Sequence, residues 1–190
     1  MSPDTTADRD LLQHLDDYLS DSKNIYDAWD VYSDEHTDLN GWPHDDHAYG
    51  TRQRQRDADT AEAFETVRAG ARPLLATAEA QLRTMPTSVV QHRWAYQLGQ
   101  LRSAVELLDA LHEQWVRTRD SLPADAPPGT LPFDEALAEY HAESWSYLDD
   151  WATHGHVLHE INTAAQHTPS PLAPPPAKAP APGRPARVRR

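Results

Sequence analysis

The sequence predicts an all-α protein: an antiparallel, up-down-up-down four-helix bundle over residues 1–167, followed by a disordered Pro/Ala-rich tail over 168–190. Three observations carry this. Apolar side chains recur at alternating three- and four-residue steps in four long stretches, no stretch alternates with period two, and most of the helix-breaking residues gather between the stretches or after the last one.

The first stretch, about 6–36, sets Leu11, Leu15, Tyr18, Ser22, Ile25, Tyr26 and Trp29 on one face, widened by Leu12 and Leu19. The second, about 52–85, does the same with Thr60, Phe64, Val67, Ala71, Leu74, Ala78, Leu82 and Met85. Asp59 with Glu62 offers a capping-box start inside it, and Pro73 predicts a kink or break near Gly70–Pro73. Its inward stripe is largely Ala and Thr. It is therefore the thinnest wall of the bundle, to be compensated by closer neighbours or a covering partner.

Pro86 ends this stretch, and Ser88 with Gln91 has capping-box spacing for the third, about 88–121, which repeats Val90, Trp94, Leu98, Leu101, Val105, Leu108, His112 and Trp115. The run Leu122–Thr130 holds three prolines and a glycine, a helix stop. Pro132 then suits the first turn of the fourth stretch, about 131–165, with Asp134 and Glu135 at the positive end of its dipole. Rods of about 30 residues, roughly 45 Å long at 1.5 Å per residue, joined by short connections pack most economically as a bundle.

Charge divides the chain. From Thr168 to Arg190, 8 of 23 residues are proline, too few apolar side chains remain to offset ordering entropy, and all five charges are positive: Lys178, Arg184, Arg187, Arg189 and Arg190. The whole chain carries −13, so residues 1–167 carry −18. That acidity opposes nucleic acid, leaving only the arginine-bearing tail as a route to it. The absence of cysteine excludes a disulfide framework and thiolate metal or catalytic sites. No apolar run approaches a membrane span and no signal pattern opens the sequence, so a soluble, cytoplasmic protein is expected. There is no Gly-rich phosphate loop, nucleophile elbow or metalloprotease helix motif, and an enzyme is not favoured.

The up-down order gathers His14, His92, His154, His156 and His159 at one end of the bundle and His36, His44 and His47 at the other. One reading is a metal- or cofactor-binding bundle, an oxidoreductase or hydrolase, using His112 with Asp109 or the cluster His14, His92, His154 and His159. His112 lies on the inward stripe with Asp109 beside it, but the first two stretches supply no inward pair of acids to complete such a set. A second reading is a proton switch, since imidazoles titrate near pH 6.5. The third is that these are surface and flank side chains of an acidic protein.

Two surfaces invite a partner. His141, Trp145, Ala152, His156 and His159 share an arc of the fourth stretch about 100° from its core direction, a face for a protein partner or a second copy unless Trp145 packs on a neighbouring helix edge. The connection Asp38–Gly50 carries Trp42 and Tyr49; it either folds down so that Trp42 plugs the bundle end, or displays them. Arg52, Arg54 and Arg56, awkward near a helix N-terminus, are expected to pair with Asp45, Asp46 or Asp57. The resulting expectation is a non-enzymatic helical interaction module, an adaptor, assembly factor or structural subunit, with the tail as a tether.

Overall fold

The computed structural model describes residues 3–168. The expected disordered tail, with Arg184, Arg187, Arg189 and Arg190, lies outside the described residues. Within them the chain forms five helices: α1 (Pro3–His36), α2 (Asp46–Thr84), α3 (His92–Ser121), α4 (Leu131–His154) and α5 (His156–His167). α4 and α5 are one rod interrupted at Gly155, so the four-rod bundle stands. Among the described residues no helix is long and apolar enough to cross a membrane.

Several boundaries depart from the sequence reading, each for a local reason. α2 begins at Asp46, because Asp45 accepts a hydrogen bond from the Ala48 N–H (3.0 Å) and caps the helix there. The connection after α1 is therefore shorter than the expected Asp38–Gly50. α3 starts at His92 without a side-chain cap: the Val89 N–H bonds the Pro86 carbonyl in a turn, which takes Ser88 out of capping position. α2 is not broken at Gly70–Pro73. Pro73 lies on the exposed side, and Ala69, whose carbonyl loses its intrahelical N–H, is exposed to water there as well. The interruption falls at Gly155 instead, where the Leu158 N–H bonds the Gly155 carbonyl in a tighter turn. Gly155 is buried; a Cβ there would stand 3.2–3.3 Å from Leu19 and Leu15.

The most extensive helix packings are α1 on α2 and α3 on α4, followed by α2 on α4. The bundle is thus flattened along one diagonal. The small side chains of α2 permit it: Thr60, Ala61, Ala71 and Ala78 are buried, and at Gly70 a Cβ would stand 2.5 Å from Leu11 Cδ2. The thin wall is compensated by close approach. Around that diagonal the core runs from Leu15, Tyr18 and Phe64 through Leu148 and Trp151 to Leu158 and Ile161, with Trp94, Leu101 and Leu108 contributed by α3. Each large apolar side chain fully removed from water contributes about 1.5–3 kcal/mol. Tyr18 keeps its hydroxyl satisfied by donating to the Leu148 carbonyl (2.6 Å).

Candidate functional site

The most unusual construction lies where α1 meets α2. At the end of α1 the Thr37 hydroxyl donates to the Ser33 carbonyl, and Thr37 bridges Pro43 across a short antiparallel turn. Within this loop the Asp38 carboxylate accepts from the N–H groups of Asn40 (2.8 Å) and Trp42 (3.0 Å). The Gly41 N–H donates to the Asp38 carbonyl (2.9 Å), with Gly41 at φ +82°, a conformation glycine takes without strain. The Asp38 N–H returns to the Trp42 carbonyl (2.8 Å) and the His44 N–H to the His36 carbonyl (2.8 Å). The hydrogen bonds to Asp38 hold its carboxyl below the ordinary carboxylate range. This bonded loop carries Trp42 at 72 % exposure, and Leu39 beside it is fully exposed.

Beneath the loop is an aromatic base. The Tyr49 ring meets Trp29 edge-on (5.0 Å between centroids), its hydroxyl pairs with the Ser33 hydroxyl (2.8 Å), and Tyr32 stacks on His36 (4.0 Å). Two turns beyond Tyr49 along α2, Arg56 is buried, its guanidinium 4.5 Å from the Trp29 ring and 4.0 Å from Trp145. Its Nε and terminal nitrogen both donate to one oxygen of Asp57 (2.9 and 2.6 Å). Burial raises the Asp57 carboxyl despite that pairing, and burial likewise raises Tyr26 and Asp149 and lowers His141 nearby. The loop therefore stands on a packed, charge-bearing layer.

The structure corrects one expectation here and decides between two alternatives at another position. Trp145 is not a free aromatic anchor: it is partly buried, with Arg56 over its face and Tyr26 against its edge (6.3 Å). Its neighbour His141 is partly buried as well. Trp42, conversely, does not plug the bundle end, because the hydrogen bonds to Asp38 turn it outward; Tyr49 takes the inner place. The expected pairing of the alternating arginines holds for Arg56 with Asp57, whereas Arg52 lies over Tyr32 (6.0 Å) and Arg54 donates to the Thr51 hydroxyl.

The histidine end assembles as the up-down order requires, but its imidazoles take separate partners. His159 Nε2 lies 2.8 Å from Asp16 Oδ1 without hydrogen-bond alignment. His156 lies 3.4 Å from an Arg93 nitrogen, and His154 meets the Tyr96 ring edge-on (6.1 Å). His14 and His92 are exposed. His112 faces the Tyr140 hydroxyl (3.4 Å), while Asp109, rather than joining it, accepts from Arg72 (2.7 Å). Among the described residues no group of three or more His, Asp or Glu side chains is placed to hold a metal ion. What organises this end is Glu160, which accepts from Arg93 through both oxygens (2.9 and 2.7 Å) and from the Trp94 indole (2.8 Å).

The Arg56 layer escaped the sequence reading although a signal existed. Arg56 precedes Thr60 by four residues and so extends the inward stripe of α2 by one turn, the position of a buried cation with partners across the seam. Compared with known proteins, the chain matches no family model, and neither a curated protein nor a solved structure matches it.

Proposed function

We propose that this protein is a non-enzymatic interaction module and that its α1–α2 tip, Trp42 with Leu39, is the surface a partner protein meets. One observation carries the reading: a tryptophan held out in water by a loop whose own hydrogen bonds fix its backbone. Tryptophan is the side chain most enriched among binding hot spots. A loop already ordered before contact loses little further entropy on association, so more of the buried area converts to affinity. The aromatic base and the Arg56 layer supply the rigid support that such a tip needs.

The test compares full-length wild type with the double variant Trp42→Ala, Leu39→Ser as immobilised bait at physiological salt. The expected result is loss of the specifically retained proteins from the variant, with unchanged helicity and thermal midpoint. Equal retention of every one of them would remove the tip as the binding surface.

A further inference from the structure

The α1–α2 tip is acidic as well as apolar. From Asp30 to Gly50 the chain carries six Asp and Glu, all exposed, and no Lys or Arg; Arg52 and Arg54 follow, the first over Tyr32 and the second on the Thr51 hydroxyl. One segment has the opposite character: residues 169–190 hold five cations and no acid, four of the cations within Arg184–Arg190. We infer that the segment Arg184–Arg190 of one copy docks on the Trp42–Leu39 tip of a second copy. This deepens the proposed function by naming one occupant of the same tip.

Guanidinium chemistry suits both halves of the surface. Its planar face stacks on an indole, and its fork of N–H groups meets carboxylates. Val188 offers an apolar contact for Leu39. The same pairing already exists inside the molecule, where Arg56 lies over Trp29 and Trp145 and donates to Asp57. At the tip the Trp42 indole and the carboxylates are present, and the neighbouring Arg52 lies over Tyr32 and not over Trp42.

Span favours a neighbour's segment over the molecule's own. α5 ends beside the last turns of α2 and the start of α3, through Gln81–Asn162 and Arg93–Glu160, at the opposite end from Trp42. The rod from Leu131 to His167 is about 55 Å long at 1.5 Å per residue. Sixteen residue steps lead from Thr168 to Arg184, about 50 Å in polyproline geometry at 3.1 Å per residue. Within one molecule Arg184 falls short and the later arginines arrive only on a taut chain, for which the effective concentration is small. A second copy has no such constraint.

The absence of cysteine makes the test clean, because a single introduced thiol takes a label at one place. Full-length protein with Ala186→Cys carrying a nitroxide is mixed at low salt with nitrogen-15 wild-type protein, which has no thiol and bears no nitroxide. The expected result is broadening of the Gly41 amide and the Trp42 indole N–H, relieved at about 0.5 M salt, where the screening length is only a few ångströms. In parallel, the light-scattering mass of the wild type should rise with concentration at low salt. That rise should be lost both in the variant with Arg184, Arg187, Arg189 and Arg190 each changed to Gln and in Trp42→Ala, Leu39→Ser. Circular dichroism of each variant checks that the bundle is intact.

A constant monomer mass, a rise that survives in either variant, or broadening seen only when label and nitrogen-15 share one chain would each overturn the inference. If the mass stays monomeric while the tip variant still loses its captured partner proteins, the docking of Arg184–Arg190 fails and the interaction-surface reading stands.

Discussion

Arg56 and Arg93 each pair with a carboxylate toward opposite ends of the bundle, the first between two indoles and the second on a carboxylate that also accepts from an indole, in very different surroundings. The Arg56 and Asp57 side chains are 8 % and 3 % exposed; those of Arg93 and Glu160 are 47 % and 32 % exposed. The carboxyl groups respond in opposite directions. Burial dominates at Asp57 and raises it, whereas at Glu160 the smaller burial effect is overcome by hydrogen bonds from Trp94 and Arg93, which lower it. An arginine–carboxylate pair with an indole beside it therefore makes a structural member at one end and a surface latch at the other. Desolvation, not pairing geometry, separates them.

The comparison breaks most readily at Arg56. Arg56→Ala strands the Asp57 charge and leaves Trp29 and Trp145 facing a void, so denaturant unfolding should register a loss of about 3–5 kcal/mol. A loss below about 1 kcal/mol would mean that the guanidinium is solvated like that of Arg93. Glu160→Gln keeps an acceptor for the Trp94 indole and removes only a solvent-screened charge, so the same measurement should fall within about 1 kcal/mol of wild type.

Acidity sharpens the contrast. The His141 imidazole is held below its ordinary value by burial, so the unfolded chain takes its proton more readily. Stability from this group is complete above the ordinary imidazole value near 6.5 and is lost as pH falls through and below it. Asp57 and Asp149 are raised, so the folded form takes their protons first and gains stability as pH falls through their range, opposing the histidine in more acidic solution. The urea midpoint of wild type should decline on acidification from neutrality, and His141→Gln should flatten that limb; an unchanged slope would place the dependence elsewhere. Trp42→Ala gives the smallest effect, within about 0.5 kcal/mol of wild type, as expected of an exposed side chain that contributes little to the core. A larger loss would show that the loop is part of the fold and not a display.

Much of the core was readable from spacing alone. The 3.6-residue rhythm of Trp94, Leu98, Leu101, Val105 and Leu108 is satisfied by burial, and so are Phe64, Val67 and Ala71 on α2. Helix ends were less readable. Asp45 rather than Asp59 starts α2, because several residues have capping chemistry and only the chain's path selects among them. Spacing placed both Trp42 and Trp145 among the candidate surfaces, and only the first is displayed. An arc drawn about one helix reports direction but not what the neighbouring helix brings to it. Here α2 brings Arg56 to Trp145.

The sequence by itself determined the all-helical class, the four rods, the greasy face of each, and the acidity of residues 1–167 beside the cations that follow. These are local or additive properties, set by periodicity, turn residues and charge. Only tertiary structure decided which tryptophan is covered and which is displayed, that among the described residues the histidines do not gather into a metal-holding group, and that Arg56 is enclosed. Those outcomes depend on how closely α2 approaches α1 and α4, a distance set by small side chains such as Gly70 and Ala71 acting across helices far apart in the chain.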